Sequence, residues 1–226
     1  MTIGFGIYLR RRKVSADLVS RYLELPVAAI SDNMGRLTHG GPRLRPMHSG
    51  KPMAGPALTV RARPGDNLMV QKAIDLAEPG DVIVVDAGGD LSNALIGELL
   101  SLYAETRGVA GFVINGAVRD SETLRKRDFP VFAAGVTHRG PYRSGPGEIN
   151  VTIAIDGMTI EPGDLVVGDA DGLLCVPFAF AEELYPKSKA LHEEELRKAQ
   201  IILDGKFERA WVDKTLTSMN CFIEKE

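Results

Sequence analysis

The spacing of apolar residues along this chain changes repeatedly between a helical rhythm and short continuous runs. Between Ser15 and Leu25, the apolar positions Leu18, Tyr22 and Leu23 share one side of a predicted helix, with Ser15 placed as its N-cap. Residues 31 to 51 are rich in Gly, Pro and Arg and read as irregular connection. Ala57 to Arg63 reads as a strand, and Asp66 to Leu76 as a helix closed by the turn at Pro79-Gly80. Leu95, Leu99, Leu102 and Tyr103 follow the i, i+4, i+7, i+8 spacing, which predicts one buried helical face. Phe112-Val113-Ile114 is an unbroken apolar run between Gly111 and Asn115-Gly116, as expected of a buried strand. A helix from near Arg119 to Asp128, a strand over Val131 to Ala134 and two strands around Asp156-Gly157 follow. A long charged helix over Phe178 to Leu203 comes last.

Two segments echo each other. Glu78-Pro79-Gly80-Asp81 leads into Val82 to Asp86, and Glu161-Pro162-Gly163-Asp164 leads into Leu165 to Asp169. Pro presets φ and Gly supplies its permissive partner, so each reads as a tight turn feeding a buried strand. Alternating strands and helices imply an α/β protein, while the later run of strands argues against a simple doubly wound sheet. A chain of 226 residues suits one domain with a substantial core, here 1–226 as a unit with a helical tail. The net charge of −3 offers no bulk attraction to nucleic acid or anionic membrane. Arg10-Arg11-Arg12-Lys13 reads as a solvated arm, because no aromatic platform accompanies it. Cys175 and Cys221 are too few and too far apart for a metal knot or redox pair, and Cys175 reads as a small buried hydrophobe. Met1 to Arg10 shows no signal-peptide core, and no window approaches the ~18 apolar residues of a membrane span. A cytoplasmic location is expected.

The chemistry gathers around residue 100. Gly97 is predicted near a helix N-terminus, and Arg119-Asp120 just past a strand's C-terminal end. In open α/β sheets, ligands bind in the crevice outside those strand ends. The helix start offers free backbone N–H groups for an anion. Arg119 and Asp120 add a guanidinium and a carboxylate, a combination suited to an acid substrate and a metal. Two plainer readings stand beside this one. Ser92 or Asn93 is also a good N-cap, which would leave Gly97 inside the helix, and Arg119 is also suited to a surface salt bridge.

Twenty residues separate Glu98 from Arg119-Asp120. In this spacing the chain resembles the RraA-like family. That family contains metal-dependent 4-hydroxy-4-methyl-2-oxoglutarate and 4-carboxy-4-hydroxy-2-oxoadipate aldolases, together with a non-enzymatic regulator of ribonuclease E. The resemblance runs from about Pro26 to Leu196. It takes in Ala29-Ile30-Ser31-Asp32, Ala54-Gly55-Pro56-Ala57, both Glu-Pro-Gly-Asp turns, Phe129-Pro130-Val131-Phe132, Asp169-Ala170-Asp171-Gly172 and Cys175-Val176-Pro177. It implies a compact layered β/β/α fold with an N-terminal helix and a C-terminal helical tail beyond about residue 196. It also implies a homotrimer or hexamer and a divalent cofactor, Mg²⁺ or Mn²⁺.

The implied activity is cleavage of 4-hydroxy-2-oxo acids to pyruvate through an enolate, with oxaloacetate decarboxylation as a companion. The alternative is a non-catalytic regulator of the ribonuclease E type. A lysine Schiff base or a bound cation can stabilise such an enolate. The lysines lie in polar or terminal stretches, which favours the cation. Asp120 is then the metal ligand and Arg119 the partner of the keto oxygen. Gly97, Glu98, Leu99 and Leu100 hold the substrate carboxylate. Glu98 either orients metal-bound water or serves the helix terminus as a carboxylate. The proton acceptor implied by the family is a Glu on the late helix of a neighbouring subunit, best matched by Glu193, with Glu194 and Glu195 close behind. A solvated acidic face is the plain reading of those three. His138 and Arg143, in the long loop from Thr137 to Asn150, are expected to meet a second substrate carboxylate. Asp86-Ala87-Gly88-Gly89 is expected to line the pocket near Gly97.

Overall fold

The structure is a computed structural model describing residues 3–35 and 42–224. In chain order it runs β1 (Phe5–Ile7), α1 (Ala16–Tyr22), α2 (Val27–Asp32), β2 (Arg45–Pro46), β3 (Met53–Ala62), α3 (Leu68–Leu76), β4 (Val82–Asp86) and β5 (Ala94–Ile96). Then come α4 (Glu98–Thr106), β6 (Gly111–Val118), α5 (Ser121–Arg125), β7 (Val131–Val136), β8 (Gly147–Ile149), β9 (Ile153–Ile155) and β10 (Met158–Ile160). The last elements are β11 (Leu165–Gly168), β12 (Leu173–Val176), α6 (Ala181–Leu203) and α7 (Ala210–Ser218). The chain divides into two units, Met1–Lys189 and Ala190–Glu226.

The central sheet of the first unit has the order β1-β8-β3-β4-β6-β7-β2, with parallel pairing through β3, β4, β6 and β7. These strands are near-continuous apolar runs because both sheet faces are covered. On one face, α3 and α4 contribute to a core that includes Val70, Ile74, Ala104, Ile83 and Phe112. On the other, the β9–β10 hairpin packs Ile155 and Ile160 against Val84, Val113 and Phe132. A third cluster joins Leu18, Tyr22 and Ile30 of the N-terminal helices to β11, β12 and the start of α6. This is the expected layered α/β arrangement with an N-terminal helix and C-terminal helices. In the second unit no described residue is buried. No helix among the described residues is long and apolar enough to cross a membrane.

Ser15 caps α1 as expected, its Oγ accepting the Leu18 N–H at 3.2 Å. Cys175 is buried, and burial pushes its thiol pKa up, so it packs as a small apolar group. Both Glu-Pro-Gly-Asp turns feed buried strands, and each closes in the same way. Asp81 Oδ2 accepts the Glu78 N–H, and Asp164 Oδ2 accepts the Glu161 N–H, both at 2.9 Å.

Two expectations are corrected. The arm from Arg10 to Lys13 is not simply solvated: Arg10, its side chain 9% exposed, donates to Asp81 at 2.7 Å. Arg12 pairs with Glu161 and Lys13 with Glu78, so the arm carries cations to the acids of both turns. Nor do Leu95, Leu99, Leu102 and Tyr103 form one buried helical face. Leu95 is in β5, α4 begins only at Glu98, and Leu99 is 75% exposed. The helix buries Ser101 and Ala104 instead, small residues that let it lie close to the sheet.

Candidate active site

Where α4 begins is settled by Gly97. A Cβ here would lie 2.8 Å from Arg119 Cγ and closer still to Asp120 Oδ2. Glycine therefore lets the strand that carries Arg119-Asp120 reach the helix start. The Ser92 and Asn93 alternative is excluded, because Gly97 is the N-cap. Ser92 instead donates its N–H to Asp90 Oδ1, and Asn93 Nδ2 donates to the Gly140 carbonyl.

Asp120 stands at the N-cap of α5 in the left-handed region, φ 57° and ψ 36°, and makes no side-chain cap there. Its carboxylate turns to the other helix, where Oδ2 accepts the Glu98 N–H at 2.9 Å. A non-glycine residue at positive φ is sparsely populated and persists where its surroundings enforce it. Here the backbone of Arg119, donating to the Ile96 carbonyl at 3.0 Å, fixes the strand against the end of β5. Arg119 Nε lies 3.8 Å from Asp120 Oδ2, and both side chains are about two-fifths exposed (42% and 41%).

A cavity of about 170 Å³ opens over this junction, lined by Gly97, Leu99, Leu100, Arg119, Asp120, Arg143, Asn67 and Gln71, among others. Of the first N–H groups of α4, that of Glu98 is taken by Asp120. Those of Leu99 and Leu100 have no intrahelical acceptor at a helix start, and both residues line the cavity. Residues carrying two such backbone donors and a guanidinium thus line one small space, which suits a carboxylate bearing an adjacent carbonyl.

A second cavity of about 340 Å³ shares the same Arg-Asp pair and is lined by Arg119, Asp120, Ser121, Val136, Thr137 and His138. Arg143 and His138 therefore line different cavities, each of which includes Arg119 and Asp120. Glu98 is exposed at the helix start, where its carboxylate favours the dipole. Glu193, Glu194 and Glu195 belong to the second unit. The Asp86–Gly89 turn is absent from both linings, contrary to expectation. Asp86 Oδ1 is engaged by Gly88 N–H and Asn115 Nδ2, which turns the segment toward β6.

Sequence reasoning passed over Asn67, Gln71 and Asp66. Asn67 Nδ2 donates to the Leu95 carbonyl and its Oδ1 accepts from Gln71, so one wall is a tied polar pair. Asp66, 1% exposed, accepts N–H groups from Leu68, Ser144 and Gly145, pinning the Arg143 loop beside α3. A buried Asp at a helix start followed by Asn was the available signal, but it also fits an ordinary cap.

The described residues hold no cluster of three His, Cys, Asp or Glu able to cage a metal. The Glu98 N–H occupies Asp120 Oδ2, and no described residue donates a hydrogen bond to Oδ1. One open carboxylate oxygen on a residue lining the cavity fits a hard cation that keeps several waters, as Mg²⁺ does, and not a closed protein cage. Every described lysine is exposed, whereas an amine activated for Schiff-base chemistry is desolvated or set beside another cation.

Comparison with known proteins bears on the same region. Residues 27–175 match the family model described as RraA-like, Aldolase/RraA. A protein of Halalkalibacterium halodurans, provisionally named a 4-hydroxy-4-methyl-2-oxoglutarate aldolase, is 38% identical over 201 residues, spanning 88% of this chain and 96% of its own. The crystal structure of an uncharacterized Pseudomonas syringae pv. tomato protein superposes with a TM-score of 0.78 at 28% identity, covering 86% of this chain and 96% of the other. The RNA-processing inhibitor RraA from Thermus thermophilis gives 0.62 at 33% identity, covering 67% and 92%.

Proposed function

Because the chain belongs to the RraA-like family, we propose that it is a divalent-metal-dependent carbon–carbon lyase that cleaves 4-hydroxy-2-oxo acids to pyruvate and decarboxylates oxaloacetate. The observation that carries this reading is the junction of Gly97 with Arg119-Asp120, where the start of α4 and the Arg-Asp pair line one cavity. The name of the Halalkalibacterium relative supports the aldolase class.

The Leu99 and Leu100 N–H groups would hold the C1 carboxylate, with the helix dipole behind them. Arg119 would donate to the C2 oxygen, where negative charge grows as the C3–C4 bond breaks. A guanidinium already in place stabilises that charge without reorganisation. Asp120 would hold the cation, which when bound supplies Lewis-acid polarisation of the 2-oxo acid. Its orientation comes from Glu98 N–H, leaving Oδ1 as the ligand oxygen. The C4 hydroxyl proton needs an acceptor, and we assign it to Glu193 of a neighbouring copy in a homotrimer or hexamer. Retro-aldol cleavage and decarboxylation both leave a pyruvate enolate, so one constellation serves both.

The test is pyruvate release from oxaloacetate and from a panel of 4-hydroxy-2-oxo acids with Mg²⁺ or Mn²⁺. Activity should vanish with chelator and in Asp120→Ala, whose fold stays intact. Release that survives chelation, or Asp120→Ala turning over normally at limiting metal, refutes the metal assignment. The likeness to the Thermus inhibitor supports a second reading, a non-catalytic regulator of an RNA-processing enzyme. Specific capture of a ribonuclease, with no pyruvate from any substrate, would favour it.

A further inference from the structure

Between Ile114 and Ala117, β6 carries one more residue than its partner. Ile114 pairs with Ala133 and Ala117 with Gly135, so Asn115-Gly116 forms a bulge opposite Ala134. At the same point β6 changes its other neighbour. Up to Asn115 it pairs with β4, whereas Ala117 and Val118 pair with β5. A bulge bends its strand and re-aims the side chains that follow. Those that follow here are Arg119 and Asp120.

Asn115 holds the bulge through its side-chain amide and its carbonyl. It is 5% exposed. Its Nδ2 donates to Asp86 Oδ1 at 2.9 Å, and its Oδ1 accepts from Arg43 Nη2 at 3.3 Å. Its carbonyl accepts the Ala87 and Gly89 N–H groups at 3.3 and 3.1 Å. Arg43 in turn pairs with Asp156 at the tip of the β9–β10 hairpin. A buried amide with this many fixed partners specifies one backbone path, since any other would strand polar groups away from water.

The path determines the site. With the bulge in place, Arg119 N–H meets the Ile96 carbonyl and Asp120 Oδ2 meets the Glu98 N–H. A slip of one residue would turn the β6 side chains to the other face and carry Arg119 and Asp120 out of these bonds. We infer that Asn115, anchored by Asp86 and Arg43, is a positioning residue that sets the β6 register and thereby delivers Arg119 and Asp120 to the start of α4. It touches no substrate. The inference rests on the proposed site for its meaning, but its geometry can be tested without catalysis.

The experiment is amide hydrogen exchange of the full chain, read by mass spectrometry in peptides spanning 94–100 and 117–122. Asn115→Ala should speed exchange there by about tenfold, as the Glu98 and Arg119 amides lose their fixed acceptors. Asp86→Ala should do the same, and Asp86→Asn, which keeps an acceptor for Asn115, should restore slow exchange. Leu174→Ala, a cavity variant in β12, should speed exchange around its own strand and leave the site peptides slow. Mn²⁺ affinity should fall about 10- to 100-fold in Asn115→Ala, the range for groups that orient a metal ligand. If Asn115→Ala does not fold, the two Asp86 variants decide the question. Site peptides that stay slow in Asp86→Ala, or that quicken equally in Leu174→Ala, overturn the inference. A wild-type chain that releases no pyruvate would sink the proposed function, yet the exchange pattern would still decide this point.

Discussion

Replacing Gly97 by alanine adds one carbon at the most crowded point of the site. The backbone there is extended, φ −156° and ψ −155°, a conformation open to any residue, so the change acts through space and not through strain. The new Cβ would stand 2.8 Å from Arg119 Cγ, against the 3.4 Å of ordinary contact, and would press harder on Asp120 Oδ2. Asp120 must then retreat on the order of 1 Å, and misplacement of that size costs roughly 10²-fold in rate. The retreat also breaks the Glu98 N–H bond to Oδ2, a hydrogen bond to a charged group worth about 1.5–3 kcal/mol. The two effects are read separately: the 10²-fold loss corresponds to about 2.7 kcal/mol of barrier, whereas the lost hydrogen bond lowers stability. The assay is pyruvate release at saturating Mg²⁺, normalised to folded protein. Gly55→Ala is the comparison: its Cβ would collide with the Gly80 carbonyl, away from the site, lowering stability without lowering activity per folded molecule. Wild-type turnover in Gly97→Ala, or equal losses in both variants, would refute the reasoning.

Glu78 gives a pH prediction with a definite sign. The hydrogen bond from Lys13, then the Lys13 and Arg10 charges, hold its carboxyl below the usual range. A depressed pKa adds stability above the unfolded value and loses it as pH falls through the folded value. Glu78→Gln should therefore be less stable at pH 7, by no more than about 1 kcal/mol for so exposed a pair; denaturant titration should show the gap closing in acid, and a constant gap rejects the assignment. Asp120→Ala and Glu193→Gln, each inactive alone, should recover part of wild-type activity when dissociated and reassembled together, because a closed ring of copies would regain some intact shared sites. A monomer by sedimentation, or no recovery after confirmed mixing, would exclude a shared site.

What the sequence disclosed and what it hid divide along a physical line. Phe112 to Ile114 and Val82 to Val85 were readable because strands buried on both faces need unbroken apolar runs, and flanking turn signals such as Gly111, Gly116 and Pro79-Gly80 bound these two. The paired Glu-Pro-Gly-Asp turns were readable because Pro and Gly act on their own backbone. The cations that occupy them were not: Arg10 lies 71 positions from Asp81, and local composition cannot say which acids a basic run will meet. Leu99, Leu102 and Tyr103 mislead for a related reason. Periodicity reveals that a helix has an apolar side, but only the tertiary arrangement decides whether that side faces the sheet, and here the small Ser101 and Ala104 took the place.

The site itself shows both cases. Gly97 and Arg119-Asp120 stood out through their spacing and their place at a helix start and a strand end, and they do meet. The residues that make them meet are inconspicuous in sequence. Asn115 looks like a turn residue ending a strand, and Asp66 like a helix cap. Each is instead buried with its polar groups engaged, one governing strand register and the other the Arg143 loop. A chemical group that contacts ligand must be of a particular type, which leaves a mark in sequence. A group that positions another needs only a suitable donor or acceptor at the right depth, and depth is a property of the fold.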